Sequence, residues 1–341
     1  MFTIWVTGMC NMKCRYCYEG DEKKKENMNC STADKVIQWI LKEISNDHKI
    51  HYIRFHGGEP TLNIDIIKYI VTNLKYSGYT FVYLLTTNGY RVNEKIAEFL
   101  AENISMISVS IDGNKKSNDM KRINEKGNST FEQVIKNAKY INKLTPNMLI
   151  RMTISPETCE DLFDNISYLL EQGFHNIDAE IDVFNNRWSA KKLTILENKC
   201  KKIVQEISKQ DGKVNINLPI CYPERRLEPC VGGIEEFSID TSGNIFPCIY
   251  AVGDSELCIG NVEDGIDKQK QKQIKKINLS TIKACIGCGG YESCLSVRCK
   301  IVNKYLMGSF QIPNLLICEL HRRNINWILN SDDSYTLKEE D

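Results

Sequence analysis

The chain has 341 residues, enough for one large α/β domain and a smaller one, with an ample core. Lys plus Arg and Asp plus Glu balance at 44 each. That argues against a nucleic-acid binder, which carries a basic excess, while leaving room for a local basic patch. No apolar run approaches the roughly 20 residues of a membrane span, and the N-terminus shows neither a basic region nor a cleavage site. A cytoplasmic chain without membrane contact is expected. Its fifteen cysteines then read as reduced thiols, better suited to metal ligation than to disulfides.

From residue 3 to about 210, short β-type runs alternate with helix-length amphipathic segments. Strands are expected at Ile4–Thr7, Tyr52–Phe55, Phe81–Leu85, Met106–Ile111, Leu149–Ile154 and Ile177–Val183. Helices are expected at Thr32–Ser45, Ile64–Leu74, Glu94–Leu100, Phe131–Leu144, Cys159–Glu171 and Ala190–Lys209, with Ser31 and Asn93 as N-caps of two of them. Six βα repeats imply a parallel sheet with right-handed crossovers, an α/β fold forming an open, partial (β/α)6 barrel. Ligand groups then gather at the C-terminal ends of the strands. After about residue 215 the texture changes. Nine of the fifteen cysteines fall between Cys221 and Cys318, with glycines clustered and little periodicity, as in a domain held by metal rather than by a large core. Domains are therefore expected at 1–212 and 213–330, with a terminal helix at Glu319–Leu329 and a disordered tail at 331–341.

The chemistry starts at Cys10-Asn-Met-Lys-Cys14-Arg-Tyr-Cys17. Three thiols at this spacing can hold three irons of a [4Fe–4S] cubane and leave the fourth open to a small molecule. Three thiols alone are also most of a zinc site. The second strand ends in Arg54-Phe-His-Gly-Gly-Glu-Pro60, the third in Thr86-Thr-Asn-Gly89 and the fourth in Ser108-Val-Ser-Ile-Asp-Gly113. All three put glycine or small polar groups at strand C-termini. Gly57 and Gly58 would let backbone carbonyls approach an ammonium, and Glu59 could add charge. Arg151, a charge within a barrel strand, needs a partner and is a further candidate contact.

The Cys10–Cys17 run resembles the signature of radical S-adenosylmethionine (radical SAM) enzymes, with the aromatic Tyr16 before the third Cys. The Gly-Gly-Glu-Pro turn one βα unit later, and the two polar strand ends after it, strengthen the resemblance. They match the peptide-modifying and sulfatase-maturing branch in position. The resemblance implies the partial barrel and S-adenosylmethionine on the open iron. It also implies that Ser110 and Arg122 contact the methionine part of the cofactor and that Tyr16 supports the adenine.

In the second domain Cys230-x12-Gly243-x4-Cys248, then Cys285-x2-Cys288-x5-Cys294-x4-Cys299 and Cys318, resemble the SPASM module with its auxiliary clusters. The spacing before Cys299 is one residue longer than usual. The resemblance assigns Cys221, Cys230, Cys248 and Cys299 to one [4Fe–4S] cluster and Cys285, Cys288, Cys294 and Cys318 to another, three clusters in all. Cys258 is a spare thiol, and the Cys285–Cys299 run alone could be a zinc knuckle. Cys30, Cys159 and Cys200 read as small buried hydrophobes.

The resemblance further implies a precursor peptide or protein as substrate and an electron donor such as a flavodoxin or ferredoxin. The expected activity is oxidative crosslinking, as a thioether or a C–C bond. Formylglycine formation is the alternative enzyme reading. Sulfatase maturases, however, usually carry an Asp directly after the Cys248 position, where this chain has Ile249, and Gln where it has His56. With nine residues before Cys10, leader recognition is expected from the barrel face, the second domain or a separate protein. His56, Tyr18 and Glu19 are expected near the radical's exit. No catalytic acid or base is named by the sequence, and a non-catalytic iron–sulfur or zinc scaffold is the reading from another class.

Overall fold

A computed structural model describes residues 1–20, 25–45, 47, 49–207, 214–222 and 227–330. The expected tail at 331–341 lies outside the described residues. In chain order the first elements are β1 (Phe2–Thr7), α1 (Cys30–Glu43), β2 (His51–Gly57), α2 (Ile64–Lys75), β3 (Phe81–Thr87), α3 (Glu94–Asn103) and β4 (Met106–Ser110). They continue with α4 (Lys115–Lys121), α5 (Phe131–Leu144), β5 (Leu149–Ile154), α6 (Leu162–Glu171), β6 (Asn176–Ile181) and α7 (Ala190–Ile207). The Cys-rich part adds β7 (Asn215–Asn217), β8 (Phe237–Ile239), β9 (Asn244–Phe246), β10 (Gly260–Asn261), β11 (Gly265–Ile266), α8 (Lys268–Leu279), α9 (Leu295–Arg298), α10 (Lys300–Met307) and α11 (Leu315–Asn330). The six expected strands and six expected helices are all present, and β5 and α5 have the expected bounds.

The chain packs as two units: residues 1–111, 118–150 and 231–276 form the first, and 112–117, 151–230 and 277–341 the second. In the first unit β1 to β4 lie side by side in chain order, each parallel to the next. β8 extends this sheet in parallel on the far side of β1, and β9, β10 and β11 follow antiparallel. The result is an α/β fold with an open parallel sheet. Both of its faces need cover, and β1 is buried at all six positions. Phe2, Trp39 of α1 and Phe237 of β8 form one aromatic cluster, with edge-on contacts at 5.7 and 5.6 Å and a stacked one at 6.1 Å. Such pairs each contribute about 1 kcal/mol beyond area burial.

The N-cap of α1 differs from expectation. Asn29, not Ser31, accepts from the Thr32 N–H, because the helix begins two residues earlier. Asn93 caps α3 as expected, accepting from Ile96 N. Cys159 and Cys200 are fully buried, as hydrophobes should be, but Cys30 opens α1 on an exposed position.

In the second unit β6 pairs parallel with β7. Arg323 of α11 donates to Glu197 of α7 (2.7 Å) and to Glu319 (2.8 Å), while Lys201 also donates to Glu197 (2.7 Å). Burial alone would raise the Glu197 carboxyl, but the bonds from Lys201 and Arg323 outweigh it and hold it below its ordinary value. Its share of stability is therefore complete above about pH 4.5 and is lost as pH falls through the depressed value. Removing the half-buried guanidinium in Arg323→Ala is expected to cost about 2 kcal/mol at neutral pH, the scale of hydrogen bonds between charged groups. Urea titrations should show that deficit narrowing in acid. Among the described residues, no helix is long and apolar enough to cross a membrane.

Candidate active site at the sheet's C-terminal edge

Strand β1 runs straight into the loop carrying Cys10, Cys14 and Cys17. The loop is held by backbone bonds from outside itself. Lys13 N donates to Ile123 O (2.8 Å) and Arg15 N to Lys121 O (3.0 Å), and Met12 bridges Asn124. Within it, Cys17 N donates to Cys14 O (3.1 Å). The three thiols form no disulfide and are half-buried. This stitching brings Arg122 to the loop, with its guanidinium 5.2 Å from the centre of the Tyr16 ring. Arg122 is buried, and its carbonyl accepts from Thr130 Oγ1 (2.9 Å), so the charge is built into the site rather than solvated.

The Gly57-Gly58-Glu59 turn crosses directly over the start of this loop. Gly58 N donates to Thr7 O (3.0 Å) and Glu59 N to Met9 O (2.8 Å). A Cβ on Gly57 would lie 2.0 Å from Thr7 O, and one on Gly58 2.4 Å from Met9 O. Gly57 also has a φ of +139°. Both glycines are thus required by the close approach of two backbones.

Glu59 is fully buried, and its carboxylate is turned into its own surroundings. Oε1 accepts from Thr61 N (3.1 Å), Thr61 Oγ1 (2.6 Å) and Thr87 Oγ1 (2.6 Å), and Oε2 accepts from Asn88 N (2.6 Å). Burial raises its carboxyl above the ordinary value against these four bonds, which favour the anion. Glu59 ties the end of β2 to the end of β3. Glu59→Gln turns an amide donor toward this set of donors. We expect a loss of about 3 kcal/mol in urea unfolding of the metal-free protein, the scale of charge-assisted bonds to a buried group.

Asn88, unremarked in the sequence beyond its place in Thr86-Thr-Asn-Gly89, completes the arrangement. Its Nδ2 donates to Asn11 Oδ1 (2.8 Å) and lies 3.7 Å from Cys10 Sγ as a donor. A polar residue ahead of a glycine at a strand end was the only signal that could have found it. Ser110 closes β4 on a half-buried position. His56 precedes Gly57 on β2, its ring 5.0 Å from that of Trp5. Tyr18, 41% exposed, packs on Tyr250 at 5.3 Å, and crowding by the surrounding chain, then Glu19, Tyr250, Cys17 and Cys248, push its phenol above the ordinary value.

The remaining predicted residues belong to the second unit. Arg151 of β5 pairs with Asp178 of β6, which also accepts from Asn217 Nδ2 (2.8 Å). Burial raises Cys285, Cys294 and Cys318, and the thiols of this group add to it. Cys285 feels Cys294, Cys318 and Cys288, and Cys318 feels Cys288. Those four thiols are within electrostatic reach of one another. Burial pushes Cys299 up to about 11, with Cys230 as its thiol neighbour. Burial pushes Cys221 up to about 12, and its charged neighbours are Lys201 and Glu197. It also lies beside Cys200. In the first unit the Cys258 thiol donates to Gly260 O (3.4 Å).

Among the described residues, no three His, Cys, Asp or Glu side chains converge tightly enough to hold a single ion. A cubane cluster spreads its thiol ligands wider than one ion does. Three reduced thiols on a pinned loop, with an amide donor on one sulfur and a buried cation stacked on the loop's Tyr16, fit such a cluster and an anionic cofactor group.

Residues 4–169 match the Radical SAM superfamily. The cysteine-type anaerobic sulfatase-maturating enzyme of Clostridium perfringens is 23% identical over 317 residues, covering 84% of each chain. The structure of native anSMEcpe with bound AdoMet and Cp18Cys peptide superposes with a TM-score of 0.79 at 19% identity, over 96% of each chain. Streptococcus suis SuiB bound to precursor peptide SuiA superposes with a TM-score of 0.69 at 18% identity, over 93% of this chain and 75% of that one. The fold, the pinned thiol loop and the family match agree: residues 4–169 are a Radical SAM domain, and the chain as a whole has the fold of the sulfatase-maturating enzyme and of SuiB.

Proposed function

We propose that the enzyme removes hydrogen from a ribosomally made peptide and installs an oxidative crosslink, a thioether or a C–C bond. The observation that carries this reading is Ile249. It opens the short turn 249–251 directly after Cys248, and the next residue, Tyr250, packs on Tyr18 beside the thiol loop. An aliphatic side chain accepts no proton, so the base that formylglycine formation needs is missing from that position.

When bound, the cluster and S-adenosylmethionine would supply the radical chemistry that removes hydrogen from an unactivated carbon. The chain's own residues do the rest. In this proposal Cys10, Cys14 and Cys17 ligate the cluster, and Asn88 orients Cys10 by donating to its sulfur. Gly57 and Gly58 admit the cofactor's amino-acid end, with Glu59 locking their turn. Ser110 and Arg122 hold the methionine part, and Tyr16, stacked under Arg122, supports the adenine. Arg151, fixed by Asp178, is the further polar contact proposed. Cys285, Cys288, Cys294 and Cys318 hold one of two auxiliary clusters. The burial of this edge excludes water from the reacting groups.

Formylglycine formation is the second reading, favoured by the sulfatase-maturase relative that covers 84% of the chain. Mass spectrometry of a peptide encoded beside the gene, co-expressed anaerobically with this protein, separates the two. Loss of two hydrogens, with a crosslink in the fragmentation pattern, supports the first reading. An aldehyde on a Cys- or Ser-containing sulfatase peptide, with the neighbouring peptide unmodified, overturns it.

A further inference from the structure

Helix α8 carries a basic face that the proposed chemistry does not use. Its inner side is set by Ile274, 4% exposed, and by Gln271, whose Nε2 donates to Gly233 O (3.0 Å). That orientation sends Lys268, Lys272, Lys275 and Lys276 outward, at helical spacings of i, i+4, i+7 and i+8, and all four are exposed. Lys270 turns aside to donate to the Cys258 carbonyl (3.1 Å), anchoring the helix beside a half-buried thiol. No acid lies within α8. Of three acids just before it, Glu263 is tied to Lys35 (2.5 Å), and Asp267 caps the helix by accepting from Gln269 N (2.9 Å) and Lys270 N (3.1 Å). The third, Asp264, is exposed. In a chain of zero net charge the stripe is a concentrated local field.

The geometry points to this stripe as the docking surface for a small one-electron carrier protein with an acidic face. The inference rests on the radical SAM chemistry above but not on which peptide bond is made. Initiating each turnover requires one electron from outside: the carrier is oxidised by one electron, and the cluster on the Cys10–Cys17 loop is reduced by one. A carrier must arrive quickly, dock weakly and leave. Ammonium groups on a rigid helix suit that task, since charge complementarity raises the encounter rate without a tight interface. A substrate peptide needs apolar pockets to define its register, whereas this face is four lysines with Leu279 exposed at its end.

The test compares the whole enzyme with its Lys268→Glu/Lys272→Glu/Lys275→Glu variant, and with the Gln equivalents as a milder set. One readout is binding of a flavodoxin at low and high salt. The other is 5′-deoxyadenosine formation driven by the same flavodoxin, reduced, or by dithionite. At low salt we expect binding and flavodoxin-driven rate to fall about tenfold with Glu and less with Gln, with high salt erasing the difference. The dithionite-driven rate should stay unchanged. Equal flavodoxin binding and rate in all three proteins would overturn the inference. So would a loss under both reductants, or a raised KM for peptide under dithionite, which would make the stripe a substrate site. If charge reversal weakens flavodoxin but no peptide is crosslinked by either route, the crosslinking reading fails and the docking surface stands.

Discussion

Cys10→Ala, purified and reconstituted without oxygen, is expected to form no 5′-deoxyadenosine with either reductant. It should also retain less iron than the parent. The reason is positional as much as chemical. Cys10 is the thiol reached by the Asn88 amide, at the point where the β1 loop meets the end of β3. Its loss removes a proposed ligand and leaves the Asn88 amide with Asn11 as its remaining acceptor. Cys30→Ala is the matched control. Cys30 is exposed at the first residue of α1, and its removal should leave iron content and 5′-deoxyadenosine formation as they are. Iron retained in full by Cys10→Ala would remove Cys10 from the proposed ligand set.

Gly58→Ala should be nearly as damaging, by a different route. The added methyl would lie 2.4 Å from Met9 O, 2.7 Å from Met9 C and 2.9 Å from Gly8 O. All three are backbone atoms, so no side chain can swing away to make room. Either the turn or the thiol loop must move, and the Gly58 and Glu59 bonds to Thr7 and Met9 go with it. We expect a loss of about 4 kcal/mol or more, in the range reserved for severe steric defects, together with failure to assemble the cluster. Gly57→Ala adds an unfavourable φ to an even closer contact and should be no better. Gly78→Ala is a useful contrast, since a Cβ there meets nothing within 4 Å, although its φ of +83° still carries a modest cost. Thermal unfolding of the metal-free proteins would rank the three. A Gly58 variant as stable as the parent would show that the two backbones have freedom to separate.

The alternation of strands and amphipathic helices up to α7 was legible because each element there is long enough to show its own period. β5 and α5 have the expected bounds for that reason. The thiol loop and the Gly-Gly-Glu turn were legible for a chemical reason, since few other functions need those residue types so close together. Past residue 215 periodicity gave little. Strands β8 and β9 have three residues each, too short for an alternation to register. β8 nevertheless joins the sheet beside β1, where backbone bonds supplied by β1 fix it, and β9 pairs with β8 in turn. Helix α8, dominated by Lys and Gln, has few apolar positions from which to read a period.

What the sequence determined by itself was therefore the repeat, the thiol spacings and the glycines, because each is a property of neighbouring residues. Only the tertiary structure decided how the chemistry is held. Glu59 gives its carboxylate to Thr61, Thr87 and Asn88 rather than leaving it open to a ligand, Arg122 stacks on Tyr16, and Tyr18 packs on Tyr250. Each of these depends on groups brought together from strand ends far apart in the chain. A buried carboxylate or guanidinium must find its partners wherever the folded backbone presents them, and local sequence carries no record of that choice.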